Sequence, residues 1–413
     1  MRKTAAKLAM VLLSAVFGAV LAGPVLAATC QNTSGSYERW LADFKKEAIA
    51  KGISPQVIAA ASPHMTFEQR IINKDRAQGV FNQSFLKFSD RMIANPRMQN
   101  GQKQMQAHAA LFAKVEKEFG VPAPILTAFW GLESDFGSNT GNSNVFAAIS
   151  TLAYDCRRPD FFRTQLFDAL RIVQRGDLQV EEMNGGDWAG ELGAMQFTAS
   201  DYFNSAVDYD GDGKRNLVKS TPDTVASAAN FLKSLGWKRG EPWLQEVKVP
   251  RELPWDQADL AIQLPRSQWV SWGVRAAHGS LPSDGFKASL LLPMGRTGPA
   301  FLAYENFQAL LGWNSSMVYV TTVAYFATRL DGAPAVGRGD PNIEVLQPQQ
   351  VMELQRLLIK LGNDIGDVDG KVGTKTRLAI KKAQMKLGLP ADSYPTAELI
   401  ERLRGGAASR SVR

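Results

Sequence analysis

Cysteine and histidine are the scarcest chemical resources of this chain: two cysteines and three histidines in 413 residues. Cys30, Cys156, His64, His108 and His278 show no ligand spacing, which excludes a zinc site built from sequence neighbours. No organic cofactor is expected. Long apolar runs are also missing. The most apolar stretch, Leu8 to Leu21, is short for a membrane span. Nor is there a dense basic stripe or a long internal repeat, so the chain lacks a nucleic-acid footprint. The formal charge of +7 loses three with Arg2, Lys3 and Lys7, and the remaining mild excess suits an anionic polymer.

Those three cations, the apolar run behind them and the small residues Ala27 and Ala28 read as a cleaved signal peptide over residues 1–27. Ala-Ala-Thr before Cys30 is a poor lipidation signal, so a soluble exported, periplasmic protein is expected rather than a lipoprotein. Both cysteines survive that cleavage, and in an oxidising compartment such a pair is expected to bridge.

From residue 36 to 330 the pattern is mainly helical. Apolar positions recur at three- and four-residue spacing over 37–50, 102–119, 161–174, 222–235 and 316–330. Between Trp243 and Pro293 the texture turns to Pro, Trp and short apolar runs, which predicts strands or irregular structure. Residues 331–345 are rich in Gly and Pro and read as a linker. A compact unit of three helices follows over 346–405, with helices near Val351–Leu361, Thr374–Leu387 and Thr396–Leu403. Residues 406–413 read as a disordered tail.

Glu133 is the candidate catalytic residue. Val121, Ile125, Phe129, Leu132 and Phe136 recur at helical spacing, and Glu133 continues the row one turn beyond Phe129. A carboxylate against apolar surface has its charged form disfavoured, which raises its pKa toward what a general acid needs. Asp135 and Glu191 are candidate second carboxylates, neither in a distinctive setting. Around residues 189–202, AGELGAMQFTASDY, Gly190 and Gly193 permit close backbone approach. There Gln196 offers an amide either to a sugar or to the fold itself. Arg157 and Arg158 suit a substrate carboxylate or a solvated surface pair. Trp313, Asn314 and Tyr319 form either a binding platform or ordinary packing.

DYDGDG at 208–213 matches the start of a calcium loop. Its twelfth position is Lys219 rather than Glu, so Asp223 is the candidate closing carboxylate. Three clustered carboxylates repel one another without a cation, which favours a structural calcium over an empty Asp/Gly turn.

GLESDFG, TLAYDCRRPDFF, WAGELGAMQFTASDY running into VDYDGDGKRNL, and GWNSSMVY occur in the order found in the lytic murein transglycosylase B family (glycoside hydrolase family 103), which residues 36–330 resemble. LQRLLIKLG, DVDGKVGTKTRLAIKKAQ and LGLPADSYP resemble a type 1 peptidoglycan-binding domain. The resemblance implies a mainly α fold: a lysozyme-like α-helical catalytic domain with a smaller mixed subdomain, plus a small three-helix peptidoglycan-binding domain. It implies cleavage of the β-1,4 bond between N-acetylmuramic acid and N-acetylglucosamine, leaving a 1,6-anhydromuramoyl end. Glu133 matches the catalytic glutamate. Arg157, Arg158, Gln196, Trp313, Asn314 and Tyr319 match the substrate groove. Asp208, Asp210, Asp212, Lys214 and Asp223 match the metal loop, one residue longer here. Ala199 stands where proline is common, and Asp187 near the place of a small hydroxyl residue that would hold the catalytic glutamate. The expected partners are peptidoglycan glycan strands and other cell-wall enzymes, with the protein a monomer. A hydrolytic muramidase and a non-catalytic wall-binding scaffold are the alternatives.

Overall fold

The computed structural model describes residues 30–31, 35–77 and 83–408. The expected signal peptide, and residues 409–413 of the expected tail, lie outside the described residues.

Helices dominate. The ones used below are α1 (Tyr37–Ala50), α2 (Ala123–Ser134), α3 (Val145–Tyr154), α4 (Pro159–Arg175), α5 (Thr221–Ser234) and α6 (Met317–Leu330). Their starts follow from the sequence: Ser36, Asn144, Ser220 and Ser316 each accept a first-turn N–H of the helix they precede. The segment 102–119 holds two helices rather than one, Asn95–Ala107 and Ala109–Phe119, because His108 leaves helical backbone between them.

Helix α2 is the centre of the largest core. Every residue from Pro124 to Ser134 except Glu133 is buried, as expected for a helix with apolar groups all round. It packs against α6. Gly131 permits the approach, since an added Cβ would lie 3.0 Å from Phe326 Cε1 and 2.8 Å from Phe136 Cζ.

Residues 244–303 form the mixed subdomain. Its strands β1 (Leu244–Lys248), β2 (Leu264–Pro265), β3 (Arg275–Ala276), β4 (Lys287–Leu291) and β5 (Ala300–Ala303) make one antiparallel sheet in the order β2-β4-β5-β1-β3. It has a core of its own around Trp255, Trp269, Leu290 and Leu302.

The C-terminal unit contains α7 (Pro348–Lys360), α8 (Thr374–Lys386) and α9 (Ala397–Ala408), packed on Leu354, Leu358, Ile380 and Leu399. Helix α9 runs to Ala408, into the first residues of the expected tail.

Residues 331–345 are not a free tether. Val336 N–H donates to Tyr325 Oη at 3.1 Å, Gly337 N–H to Glu246 Oε1 at 2.8 Å and Asp340 N–H to Thr297 O at 2.9 Å. The C-terminal unit itself docks on the sheet subdomain, where Lys381 Nζ meets Asp259 Oδ2 at 3.0 Å with both side chains mostly buried. Arg296 N–H donates to Asp392 Oδ2 at 3.1 Å.

Candidate active site

Glu133 lies in the last turn of α2, half-buried in the wall of a cleft of about 940 Å³. The chain turns sharply just beyond it. Asp135 and Phe136 both take positive φ, 49° and 62°, and their N–H groups return to Gly131 O and Trp130 O, closing the helix. Arg97 pins the turn by an ion pair to Asp135 at 2.6 Å. Asp135 therefore serves the turn, and it is not among the cleft-lining residues.

Two side chains from the far end of the chain reach Glu133. Tyr319, buried on α6, donates its hydroxyl hydrogen bond to Oε1. The Trp313 side chain supplies a second hydrogen bond while its ring stacks on Phe129 at 4.3 Å between centroids. Burial nevertheless dominates, raising the Glu133 pKa from 4.5 to about 7. The Tyr319 hydrogen bond opposes that rise, the charge of Asp187 adds to it, and the Trp313 hydrogen bond opposes it again. The support that Asp187 seemed to withhold from Glu133 comes from Tyr319 and Trp313. Asp187 Oδ1 is used instead by the N–H groups of Ala189, at 2.7 Å, and Glu191, at 2.9 Å.

The loop 187–198 forms the facing wall. Ser134 Oγ donates to Ala194 O at 2.6 Å, tying it to the end of α2. Leu192 and Phe197 exchange two backbone hydrogen bonds around a tight turn. Gly193 (φ +72°) is required there, because a Cβ would lie 2.2 Å from Leu217 O. Gln196 (φ 49°) spends its amide N–H groups on Thr140 O and Gly193 O, so the side chain is positioned rather than mobile. Gln196 and Asn314 line a small recess beside Glu133. Ala199 fills the first position of the helix Ala199–Ser205, where no intrahelical N–H bond is made and proline would fit equally.

Glu191, undistinguished in the sequence, lines both the cleft and the recess. Its pKa is raised well above the usual range, first by burial and then by the charges of Asp187, Glu133 and Asp201. The signal was a carboxylate set in the small and apolar run Ala189, Gly190, Leu192, Gly193.

The arginine pair divides. Arg157 Nη1 and Arg158 Nη2 both hold the buried Asp75 carboxylate, at 2.6 and 2.5 Å. Arg158 still lines the cleft, against Phe162, whereas Arg157 is not among its lining residues. The neutralisation of Asp75 accounts for Arg157 better than a substrate contact does. Directly before the pair, Cys156 is joined to Cys30 by a disulfide.

In the acidic loop, carboxylate oxygens of Asp208, Asp210 and Asp212 lie within 4.8 Å of one another. Gly211 and Gly213 N–H groups orient Asp208, and Lys214 N–H orients Asp212. Three hard oxygen donors in one small loop fit a calcium-type ion. Asp223 has a further duty in the loop. It is fully buried under the loop, with Oδ1 accepting from Tyr209 and Asp210 N–H and Oδ2 from Asn216 N–H. Its role there is to hold the loop's backbone.

Residues 36–328 match the transglycosylase SLT domain family, and residues 347–403 a peptidoglycan binding domain family. The chain is 30% identical over 251 residues to membrane-bound lytic murein transglycosylase B of Escherichia coli (strain K12), covering 59% of this chain and 66% of that relative, just under two thirds of its length. SltB3 from Pseudomonas aeruginosa, solved in complex with NAG-anhNAM-pentapeptide, superposes with a TM-score of 0.83 at 40% identity, covering 90% of this chain and all of that one. The Escherichia coli lytic transglycosylase Slt35, solved in complex with calcium, shares the fold at a TM-score of 0.61 and 24% identity, over 70% of this chain and 92% of that one. Among the described residues, no helix is long and apolar enough to cross a membrane.

Proposed function

The chain belongs to the transglycosylase SLT domain family, and from that membership we propose that it is a lytic transglycosylase of peptidoglycan with Glu133 as both acid and base. The observation that carries the reading is the state of Glu133: a carboxyl in a cleft wall, with a pKa near 7, held by Tyr319 and Trp313. Protonated, it gives its proton to the glycosidic oxygen as the bond from the muramic acid C1 breaks. The sugar's own 2-acetamido oxygen bonds to C1, which removes the need for a protein nucleophile. Glu133, now a carboxylate stabilised by the Tyr319 hydroxyl, takes the proton of the C6 hydroxyl. O6 then displaces the acetamido oxygen from C1 and closes the 1,6-anhydro ring. No water is consumed. Asn314 and Gln196, in the recess beside Glu133, orient the acetamido groups. Arg158 and Trp313 complete the strand-binding wall.

Glu191 is the one feature that favours hydrolysis, since a second carboxylate could activate water. Its burial among Asp187, Glu133 and Asp201 holds it in the neutral form and weakens it as a base. Mass spectrometry of muropeptides released from purified peptidoglycan decides between them. Products lighter by one water and resistant to borohydride are expected; reducing ends would make the protein a muramidase.

The reading includes export to the periplasm, wall anchoring by the C-terminal unit and a structural calcium on Asp208, Asp210, Asp212 and the backbone at Lys214. The ion would neutralise clustered charge and fix the loop ahead of α5, with no part in bond cleavage. Saturating calcium is expected to raise the stability by about 2–3 kcal/mol at a hundredfold excess over Kd. Calorimetry in calcium and in EDTA checks this, and identical melting temperatures would remove the ion from the account.

A further inference from the structure

The cleft does not end with the catalytic domain. Beyond Trp313 and Met317 its lining passes to the C-terminal unit, to Lys371, Gly373, Thr374, Arg377 and Tyr394. This end is cationic. Arg377 Nη2 donates to Leu292 O at 3.0 Å, which anchors the guanidinium without neutralising it. The acids nearest to it are otherwise occupied. Asp259 pairs with Lys381 at 3.0 Å, and Asp392 accepts from Gln384, Tyr394 N–H and Arg296 N–H. Among the described residues Arg377 makes no ion pair within 4.0 Å. It projects from the first turns of the 13-residue helix α8, and Gly373 gives that helix no side-chain cap. Lys371, Thr374 at the start of α8 and Arg377 therefore line one part of the cleft, opposite in character to the acidic group Glu133, Asp187, Glu191 and Asp201 that lines another.

Building on the reading of the chain as a peptidoglycan lytic transglycosylase, we propose that Arg377 and Lys371 form a carboxylate subsite for the stem peptide of the strand being cleaved. In an intact strand the lactyl carboxyl of each muramic acid is tied up as an amide, so the free carboxylates lie out along the stem peptides; amidase stripping leaves a carboxylate only on the lactyl group, close against the sugar ring. A guanidinium with donors to spare discriminates between the two. The C-terminal unit thereby sets which strands the catalytic domain accepts, peptide-bearing over denuded.

The test compares two substrates: intact peptide-bearing strands, and strands stripped of peptides by an amidase. Arg377→Met keeps the aliphatic stem and removes the charge. It is expected to lower kcat/KM about tenfold on peptide-bearing strands and to leave denuded strands unaffected. Arg377→Lys, which keeps the charge, recovers part of the loss. Equal losses on both substrates would make Arg377 a domain-docking residue, and no loss on either would remove the subsite. Lys371→Ala, at a half-buried position with no ion pair among the described residues, provides the second arm if Arg377→Met does not fold: an unchanged preference between the substrates overturns the proposal. Wild-type protein inert on both would instead refute the transglycosylase reading, a separate outcome.

Discussion

Glu133→Gln is expected to reduce the release of anhydro-muropeptides by about 10³-fold or more while the protein stays folded. The side chains are nearly isosteric, and the Gln carbonyl still accepts from Tyr319, so cleft geometry is preserved. What disappears is the proton. Glutamine cannot protonate the glycosidic oxygen, and it cannot take the C6 hydroxyl proton, so both halves of the reaction fail together. The substitution also removes a carboxylate from a site that disfavours its charge, so the melting temperature is expected to hold or rise at neutral pH. The same chemistry fixes a pH limb. The reacting form is the acid, so turnover by the wild type is present below a pH of about 7 and lost as pH rises through it. Residual activity of a tenth or more in a folded Glu133→Gln protein would move the acid to another residue, with Glu191 first in line.

The disulfide carries the second large effect. Cys30 and Cys156 are separated by 126 residues, so the bridge restrains a long loop of the unfolded chain. In the chain-entropy account such a loop is worth roughly 4–5 kcal/mol. The double variant Cys30→Ser/Cys156→Ser is expected to melt roughly 5 °C below the wild type. Reductant should shift the wild type and leave the double variant unmoved. Local consequences should accompany this, because Cys156 precedes the arginines that neutralise buried Asp75. Loosening that corner frees Arg158 in the cleft, so KM should rise before kcat falls. Calorimetry decides it: a melting temperature that moves by less than about 2 °C would mean the bridge does little for the fold.

Much of this was legible in the sequence because it is periodic and local. The predicted helices at 37–50, 161–174, 222–235 and 316–330 lie within two residues of α1, α4, α5 and α6 at every end. The change of texture after Trp243 marks the sheet subdomain, although β5 runs on to Ala303. Glu133 betrayed itself by standing in an apolar row. What stayed hidden is non-local. The hydroxyl that holds Glu133 comes from Tyr319, and no spacing rule links positions so far apart. Arg157 stayed open between substrate contact and surface pair because the carboxylate it holds, Asp75, belongs to another helix. Asp223 had the right residue type and offset for a metal ligand. Nothing local says that its oxygens also collect the loop's backbone amides from a fully buried position. The contacts of the linker stayed hidden for a related reason: Gly and Pro report where a chain can bend, and say nothing of what its amides will find.

On the proposed reading of the C-terminal unit as a wall anchor, that pinned segment governs how the two units meet the wall. Two modules on a slack tether bind almost independently, and the gain from joining them is a local concentration that falls with tether length. Here residues 336–340 are fastened to the catalytic body, so the offset between wall-binding helices and cleft is fixed like the jaws of a set caliper. A strand that fits the offset engages both units for a single loss of rigid-body freedom. One that does not must give up one of them, and the mesh of the wall, as much as its chemistry, then selects what is cut.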